Sequence, residues 1–229
     1  MAIDEVLLER AVLEDRAHLR IYAWAGPTVS IGYFQGIDER AAHPASRGCP
    51  LVRRPSGGGA IVHDQEVTYA LAVPGAWRAS QQRDLYHRVH RGLVESLVGL
   101  GAAATLCPPR PAGEAKTDPF LCFQRKMEGD VAIGDCKVIG SAQRRGRGAV
   151  VQHGSILLGA SPAAPELPGI EDLSPARMAR EDWALRVRDS VLHVLDFTPQ
   201  LESLSAGEQM AALRLVDEKY GRAQWHARR

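Results

Sequence analysis

Three consecutive glycines at residues 57–59 constrain the fold of this chain more than any other feature of its sequence. Glycine fits poorly inside a helix or a strand, because it gives up backbone freedom on folding and offers no side chain to pack. Arg53 and Arg54 precede the glycines, and an apolar run, residues 60–62, follows them. The pattern is compatible with a hairpin turn beside two solvated arginines. It is also compatible with a loop that binds an anion through backbone N–H and guanidinium groups.

The composition argues against several classes of protein. Lysine and arginine number 28 against 27 for aspartate and glutamate, so the net charge of +1 favours no nucleic acid or other polyanionic partner. No stretch is apolar for the length of a membrane span, and the N-terminus lacks a signal-peptide pattern. The cysteines stand far apart, without the spacing of a metal site, at Cys49, Cys107, Cys122 and Cys136. We expect a cytoplasmic protein with free thiols and no bound metal.

Apolar periodicity predicts mainly strands over the first two thirds of the chain and helices after them. Helices are predicted at residues 3–20, 36–48, 81–100, 175–195 and 205–219. Strands are predicted at residues 19–24, 29–33, 51–52, 60–62, 67–73, 131–133, 137–142 and 150–158. Residues 101–119 are expected to form a strand fragment and a long loop, and residues 145–148 a hairpin turn.

This order of elements predicts an α+β fold in which a mixed β-sheet is flanked by helices. The length of 229 residues fits one large domain. We therefore expect residues 1–229 to form a single domain whose helical C-terminal part starts near residue 175.

Several segments, in this order along the chain, resemble motifs of the lipoate–protein ligase and octanoyltransferase family, which is related in fold to the biotin–protein ligase catalytic domain. The segments are residues 1–5 (MAIDE), 24–35 (WAGPTVSIGYFQ), 53–64 (RRPSGGGAIVHD), 137–143 (KVIGSAQ), 152–158 (QHGSILL) and the C-terminal residues 218–229. The second resembles a hairpin motif of the family, and the third its glycine-rich signature. Together the segments cover nearly the whole chain, which makes the resemblance far more specific than three glycines alone.

The resemblance implies a pocket in which the glycine loop wraps a medium-chain acyl group. It also implies that Lys137 holds the acyl carbonyl or an acyl-phosphate, where an ammonium would stabilise developing negative charge. We expect His63 and His153 to order loops rather than to transfer protons, and we assign no role to the remaining histidines. The substrate-binding residues implied in this way are Arg53, Arg54, Ser56, Gly57, Gly58, Gly59, His63, Gly140, Ser141, His153 and Gly154.

Two chemistries are known on this fold. Ligases use ATP and Mg²⁺ to form lipoyl-AMP, and they commonly carry or borrow a further C-terminal domain for which this chain has no room after its predicted helices. Octanoyltransferases of the cysteine-dependent branch take the acyl group from acyl carrier protein through a thioester, without ATP. Cys122 precedes Phe123 and lies 15 residues before Lys137, as that branch would have it. Cys136, beside the lysine, ranks second as the nucleophile.

We therefore predict an acyltransferase that moves octanoyl or lipoyl from acyl carrier protein to a lysine of a lipoyl carrier domain, such as the glycine-cleavage H protein. Cys122 and Lys137 would be its catalytic residues. A lipoate–protein ligase is the alternative, and a non-catalytic acyl-binding relative is a third possibility.

The sequence departs from the family pattern in two places. The sequence begins at its first helix, where the family usually has a preceding strand, and residues 124–130 lack a segment typical of the transferase branch.

Overall fold

The computed structural model describes residues 1–75, 79–109, 119–146 and 148–228, with the backbone alone over residues 79–83. The strands are β1 (His18–Tyr22), β2 (Thr28–Ile31), β3 (Leu51–Arg53), β4 (Ile61–His63), β5 (Glu66–Pro74), β6 (Ala104–Leu106), β7 (Val131–Ile133), β8 (Cys136–Gly146) and β9 (Ala149–Leu157). The helices are α1 (Ala2–Glu14), α2 (Ala79–Val98), α3 (Ile170–Leu173), α4 (Arg180–Leu195), α5 (Ala206–Leu215) and α6 (Ala223–His226). No helix in these described ranges is both long and apolar enough to cross a membrane.

Two β-sheets organise the fold. The larger has the strand order β1-β5-β9-β8-β7-β6, and all of its neighbouring strands run antiparallel. The smaller has the order β3-β2-β4, in which β2 runs parallel to β3 and antiparallel to β4. Helices cover the larger sheet, so the predicted α+β fold with mixed sheet pairing and flanking helices is confirmed.

Both faces of the larger sheet are covered, which is why every residue of β5 is buried. Successive side chains of a strand point to opposite faces. Tyr69 and Leu71 accordingly join the main core with α2 and α4, whereas Ala72 packs with α1 on the other face. The apolar stripe of α2 predicted from its spacing lies in that main core, through Leu85, Val89, Leu93 and Leu97.

Two helix predictions need correction. The predicted helix over residues 3–20 ends at Glu14, and the left-handed residue Asp15, with φ of 49°, turns the chain into β1. The predicted helix over residues 36–48 is wrong: only short 3₁₀ turns form there, at Asp38–Ala42 and Pro44–Ser46. Proline lacks the N–H that a helix interior needs and disfavours helical backbone in the residue before it, so Pro44 interrupts the pattern.

The hairpin interpretations of two segments are also wrong. β1 and β2, which flank the turn at Gly26, belong to different sheets and do not pair with each other. β3 and β4, which flank the glycine loop, are separated by β2: Val29 pairs with Leu51 on one side and with Val62 on the other. The three glycines therefore do not close a hairpin, and the loop is free to contact other elements.

The remaining elements agree with the predictions in type more than in length. The strand fragment expected within residues 101–119 is β6, while residues 110–118 lie outside the described residues. β8 and β9 pair up to Gly146 and Ala149, so the hairpin is confirmed, although Arg147 in its turn is outside the described residues. The predicted helix over residues 205–219 is α5 followed by a π-helical turn, Val216–Tyr220.

Leu195→Ala is expected to lower the free energy of unfolding by about 2–5 kcal/mol, because it removes a buried side chain of α4 from the main core and leaves a cavity. The matched control is Leu185→Ala on the same helix, where the side chain is 48% exposed. That change should cost less than about 1 kcal/mol. Urea denaturation followed by circular dichroism measures both values, and equal losses would contradict the assignment of α4 to the core.

Candidate active site

A row of directly opposed residues crosses four strands of the larger sheet and forms the floor of a pocket. Tyr22 pairs with Thr68, Thr68 with Ser155, and Ser155 with Gly140. Directly opposed residues of antiparallel strands lie on the same face of a sheet. All four residues line the pocket, which also borders the glycine loop and the turn that contains Cys122.

Arg54 holds the glycine loop in place. Its side chain is buried, and its Nη2 atom donates hydrogen bonds to the backbone oxygens of Gly57 and Gly59, at 2.9 and 2.6 Å. Its Nη1 atom donates to the backbone oxygen of Ser30 at 2.9 Å and to the hydroxyl of Ser30 at 3.2 Å. Burial lowers the pKa of Arg54 to about 10, which leaves the guanidinium charged at neutral pH.

Arg53 has a different set of hydrogen-bond partners, and it does not line the pocket. Its guanidinium donates to the backbone oxygens of Gly32, Tyr33 and Gln35, at 2.9, 3.0 and 2.6 Å. The same group donates to the backbone oxygens of Trp225 and His226 in α6. Both arginines are buried, so the interpretation of two solvated arginines is wrong. Arg53 ties the start of the glycine loop to the C-terminal helix.

Two glycines of the loop meet requirements that a larger residue would violate. Gly58 has φ of +94°, a conformation that side-chain-bearing residues rarely adopt. A Cβ atom on Gly59 would lie 3.0 Å from the backbone nitrogen of Cys122. This close approach allows backbone hydrogen bonds between the loop and the Cys122 segment. The N–H of Ala60 donates to the oxygen of Phe120, and the N–H of Cys122 donates to the oxygen of Ala60, both at 2.7 Å.

Cys122 and Lys137 lie together at the pocket. The distance from Cys122 Sγ to Lys137 Nζ is 3.7 Å, and the ammonium also lies 5.2 Å from the ring centroid of Phe123. The lysine is buried, and its side chain passes over Gly140, where a Cβ atom would lie 2.8 Å from Nζ. Cys136 does not line the pocket, so the structure brings the first-ranked cysteine, not the second, to it.

Asp130 carries the negative charge that balances Lys137. Its Oδ2 atom lies 2.7 Å from Lys137 Nζ, and both side chains are buried. The backbone N–H of Met127 donates to the same oxygen, and the hydroxyl of Tyr86 donates to Oδ1, each at 2.7 Å. Burial and the adjacent carboxylate raise the pKa of Tyr86, so that it acts as a donor. A buried ion pair is tolerated when further hydrogen bonds satisfy its atoms, as they do here.

His90, to which no role is assigned from the sequence, belongs to this site as well. It is fully buried on α2, and its Nε2 and Nδ1 atoms lie 2.6 Å from the Ser141 hydroxyl and the Gly129 backbone oxygen. The Ser141 hydroxyl in turn lies 2.7 Å from that of Tyr69. The available signal was the spacing of Tyr86 and His90, four residues apart along a helix that is apolar on one face.

The two histidines expected to order loops contact loop or strand residues. His63 stacks on Trp24, with ring centroids 4.1 Å apart, and its Nε2 lies 2.7 Å from the Ser30 hydroxyl. His153 Nε2 makes a short hydrogen bond with the hydroxyl of Ser56 in the glycine loop. Burial lowers the pKa of His153 to about 4, so this ring is neutral at pH 7.

The predicted site residues thus fall into two groups. Those that line the pocket are Arg54, Gly57, Gly58, His63, Cys122, Gly140, Ser141, His153 and Gly154. Those that support its wall are Arg53, Ser56, Gly59 and Lys137. Asp130, Tyr86 and His90 extend the set beyond the sequence prediction. Across the described ranges, no group of three or more His, Cys, Asp or Glu residues is arranged to hold a metal ion.

Sequence comparison finds relatives with named activities. Residues 1–171 match the family model described as the lipoyl protein ligase A/B catalytic domain. The octanoyltransferase LipM of Kyrpidia tusciae is 36% identical over 201 residues, 82% of this chain and 73% of that protein. The octanoyltransferase LipM of Moorella thermoacetica is 39% identical over 163 residues, 69% of this chain and 60% of that protein.

Structural comparison finds the same fold in solved proteins. A Thermoplasma acidophilum protein bound to lipoic acid superimposes with a TM-score of 0.80 at 21% identity, over 99% of this chain and 92% of that one. A lipoate-protein ligase A bound with ATP superimposes with a TM-score of 0.76 at 22% identity, over the same shares of each chain. At these identities the likeness is one of fold.

The stability of the fold is expected to fall as the pH falls from about 6.5 to about 4. His90 and His153 have their pKa lowered by burial to about 4 from 6.5. The unfolded chain therefore binds protons first, and each histidine removes up to roughly 3 kcal/mol of stability across that window. Urea denaturation at several pH values measures this loss of the free energy of unfolding. The loss should be smaller in His90→Gln. The control is His193→Gln at an exposed position of α4, which should leave it unchanged. An H90Q protein with the wild-type pH dependence would contradict this.

Proposed function

The chain belongs to the lipoyl protein ligase A/B catalytic domain family, as its motifs predicted, and we propose that it transfers octanoyl through a thioester on Cys122. Its relatives are named octanoyltransferases, so the predicted class of enzyme, an octanoyl acyltransferase of protein lipoylation, is confirmed. The observation that carries the proposed mechanism is the 3.7 Å distance between Cys122 Sγ and Lys137 Nζ at the pocket.

In the first half of the reaction, the Cys122 thiolate attacks the carbonyl carbon of an octanoyl thioester on acyl carrier protein. A new sulfur–carbon bond forms, the bond to the carrier sulfur breaks, and the carrier leaves as a thiolate that takes up a proton. Cysteine suits this step because the thiolate is both a strong nucleophile and a good leaving group. The ammonium of Lys137, held beside Sγ, stabilises the thiolate and the oxyanion of the tetrahedral intermediate.

In the second half, a lysine amine of a lipoyl carrier domain attacks the thioester carbonyl. A carbon–nitrogen bond forms and the bond to Cys122 Sγ breaks, so that the product is an octanoyl amide. The amine releases one proton to solvent, which balances the proton that the carrier thiolate takes up in the first half. Cys122 leaves as the thiolate beside Lys137, ready for the next cycle. Neither half requires ATP or another cofactor, because the energy of the carrier thioester is kept in the enzyme thioester.

Asp130 and Tyr86 act on this chemistry through Lys137. The carboxylate holds the ammonium at 2.7 Å, and the tyrosine hydroxyl fixes the carboxylate. A lysine side chain has four rotatable bonds, and ordering it before the reaction lowers the cost of using it in the transition state. We therefore assign Asp130 a positioning role.

The partners and location follow from the same proposal. We propose acyl carrier protein as the donor and a lipoyl carrier domain, such as the glycine-cleavage H protein, as the acceptor. We also propose a cytoplasmic location, which is supported by four free cysteines among the described residues.

A single catalytic domain over residues 1–229 is part of the proposal, since Trp183 and Val191 of α4 pack into the core of the larger sheet.

Incubation with octanoyl-acyl carrier protein is expected to add one octanoyl group to the wild-type chain, detected by intact-mass spectrometry. Cys122→Ser should show no thioester adduct, because its hydroxyl is a far weaker nucleophile than a thiolate. The matched control is Cys136→Ser, which should keep the adduct.

An intact octanoyl adduct on C122S, or its loss only in C136S, would overturn the assignment of Cys122. The assay is run with and without ATP. Pyrophosphate release that depends on lipoate and ATP would identify a ligase instead. Octanoate binding without turnover in either assay would identify a non-catalytic relative.

Gly140→Ala is expected to slow octanoyl transfer more than tenfold, because its Cβ would lie 2.8 Å from Lys137 Nζ and displace the ammonium from Cys122. Gly146→Ala on the same strand is the control, since a Cβ there has no atom within 4 Å. Single-turnover rates measure both variants. Equal rates for G140A and G146A would contradict the role given to the position of Lys137.

A further inference from the structure

A buried carboxylate lies behind the pocket wall without lining the pocket. Glu66, the first residue of β5, has no exposed surface. Its Oε1 atom accepts hydrogen bonds from His63 Nδ1 at 2.6 Å and from the Thr68 hydroxyl at 2.5 Å. Its Oε2 atom accepts a short hydrogen bond from the Ser155 hydroxyl. The three donors have one feature in common: each of their residues lines the pocket.

The directions of these hydrogen bonds decide what the pocket wall presents. An ionised carboxylate only accepts, so His63, Thr68 and Ser155 must all point a proton at Glu66 and away from the pocket. The oxygen of Thr68 also accepts a hydrogen bond from Trp24 Nε1 at 3.1 Å. With these polar atoms turned to partners behind the wall, the side chains offer mainly carbon to a ligand.

The charge of Glu66 is balanced through a relay that reaches the glycine loop. Arg54 Nη1 donates to the Ser30 hydroxyl at 3.2 Å, and that hydroxyl lies 2.7 Å from His63 Nε2. In the tautomer whose Nδ1 donates to Glu66, His63 Nε2 accepts the proton of the Ser30 hydroxyl. Arg54 and Glu66 are thus joined through the Ser30 hydroxyl and the His63 ring, and these hydrogen bonds offset part of the cost of burying each group.

We propose that Glu66 is a specificity-determining positioning residue, which keeps the acyl pocket apolar by holding the protons of His63, Thr68 and Ser155 behind its wall. The inference rests on the proposed function, since it specifies the acyl group as an unsubstituted hydrocarbon chain. From Gly140 to Thr68 the floor spans two strand spacings, about 10 Å, which is comparable to an extended octanoyl chain. The end of that chain would therefore lie near Thr68.

Glu66→Gln tests this with little change in shape. The amide keeps one accepting oxygen but replaces the other with an N–H donor, so at least one of the three protons must turn toward the pocket. The readout is the ratio of kcat/KM for octanoyl over ω-hydroxyoctanoyl carrier protein. An apolar pocket rejects an added hydroxyl by up to about a hundredfold, and E66Q should lower that ratio roughly tenfold.

The control is Glu95→Gln, the same change at an exposed position of α2, which should leave the ratio unchanged. If Glu66 had only a structural role, E66Q would lower kcat/KM for both substrates by the same factor. The ratio would then be unchanged, and that result would overturn the proposal. If E66Q does not fold, Ser155→Ala replaces it. That variant deletes a hydroxyl, so the ratio should stay or rise, and a fall would overturn the proposal.

Calorimetry with free octanoic acid and ω-hydroxyoctanoic acid separates this inference from the proposed function. A wild-type protein that prefers octanoic acid, with the preference weakened in E66Q, supports the role of Glu66 even if no octanoyl transfer occurs. A wild-type protein that transfers octanoyl but accepts both acyl groups equally overturns the role of Glu66 and leaves the transferase standing.

Discussion

The burial of two adjacent arginines against backbone carbonyl groups is the constraint on which this site depends. Arg53 and Arg54 bind backbone oxygens around the glycine loop, and the hydrogen bonds described for them go to no carboxylate. Each guanidinium offers five donors in a rigid fork, which allows one side chain to fix several turns of irregular backbone. Arg53 connects the loop to α6, and Arg54 connects it to β2. The loop is thereby shaped before any ligand binds.

Sheet pairing converts distant sequence positions into one reaction centre. Cys122 stands beside the glycine loop through its bond to Ala60, while Lys137 lies on β8 and reaches over Gly140. The pairing of β8, β9, β5 and β1 aligns the floor residues from the thiol end to Tyr22. Cys122 and Lys137 therefore lie at one end of an apolar floor formed by one face of the larger sheet. This arrangement suits a substrate whose reactive thioester is attached to a hydrocarbon chain.

The type of a helix or strand could be predicted from the sequence where it depends on the spacing of neighbouring apolar residues. The apolar spacing of residues 81–100 and the alternation of residues 67–73 predicted a helix and a strand, and α2 and β5 form there. The pairing of strands was not predictable, because β2 enters between β3 and β4 from a distant part of the sequence, and this made the hairpin interpretation wrong. The supporting residues of the site were missed for the same reason. Glu66, His90 and Asp130 each have a partner in the site on a different element. These partners are Ser155, Ser141 and Lys137, respectively.

The measurement that tests the central claim most directly is a crystal structure of the protein after reaction with octanoyl-acyl carrier protein. We expect continuous density from Cys122 Sγ into an octanoyl chain that lies on Gly140, Ser155 and Thr68, with Lys137 Nζ within hydrogen-bonding distance of the thioester oxygen. Octanoyl density on another residue, or a chain that leaves the pocket and lies elsewhere on the surface, would contradict the account.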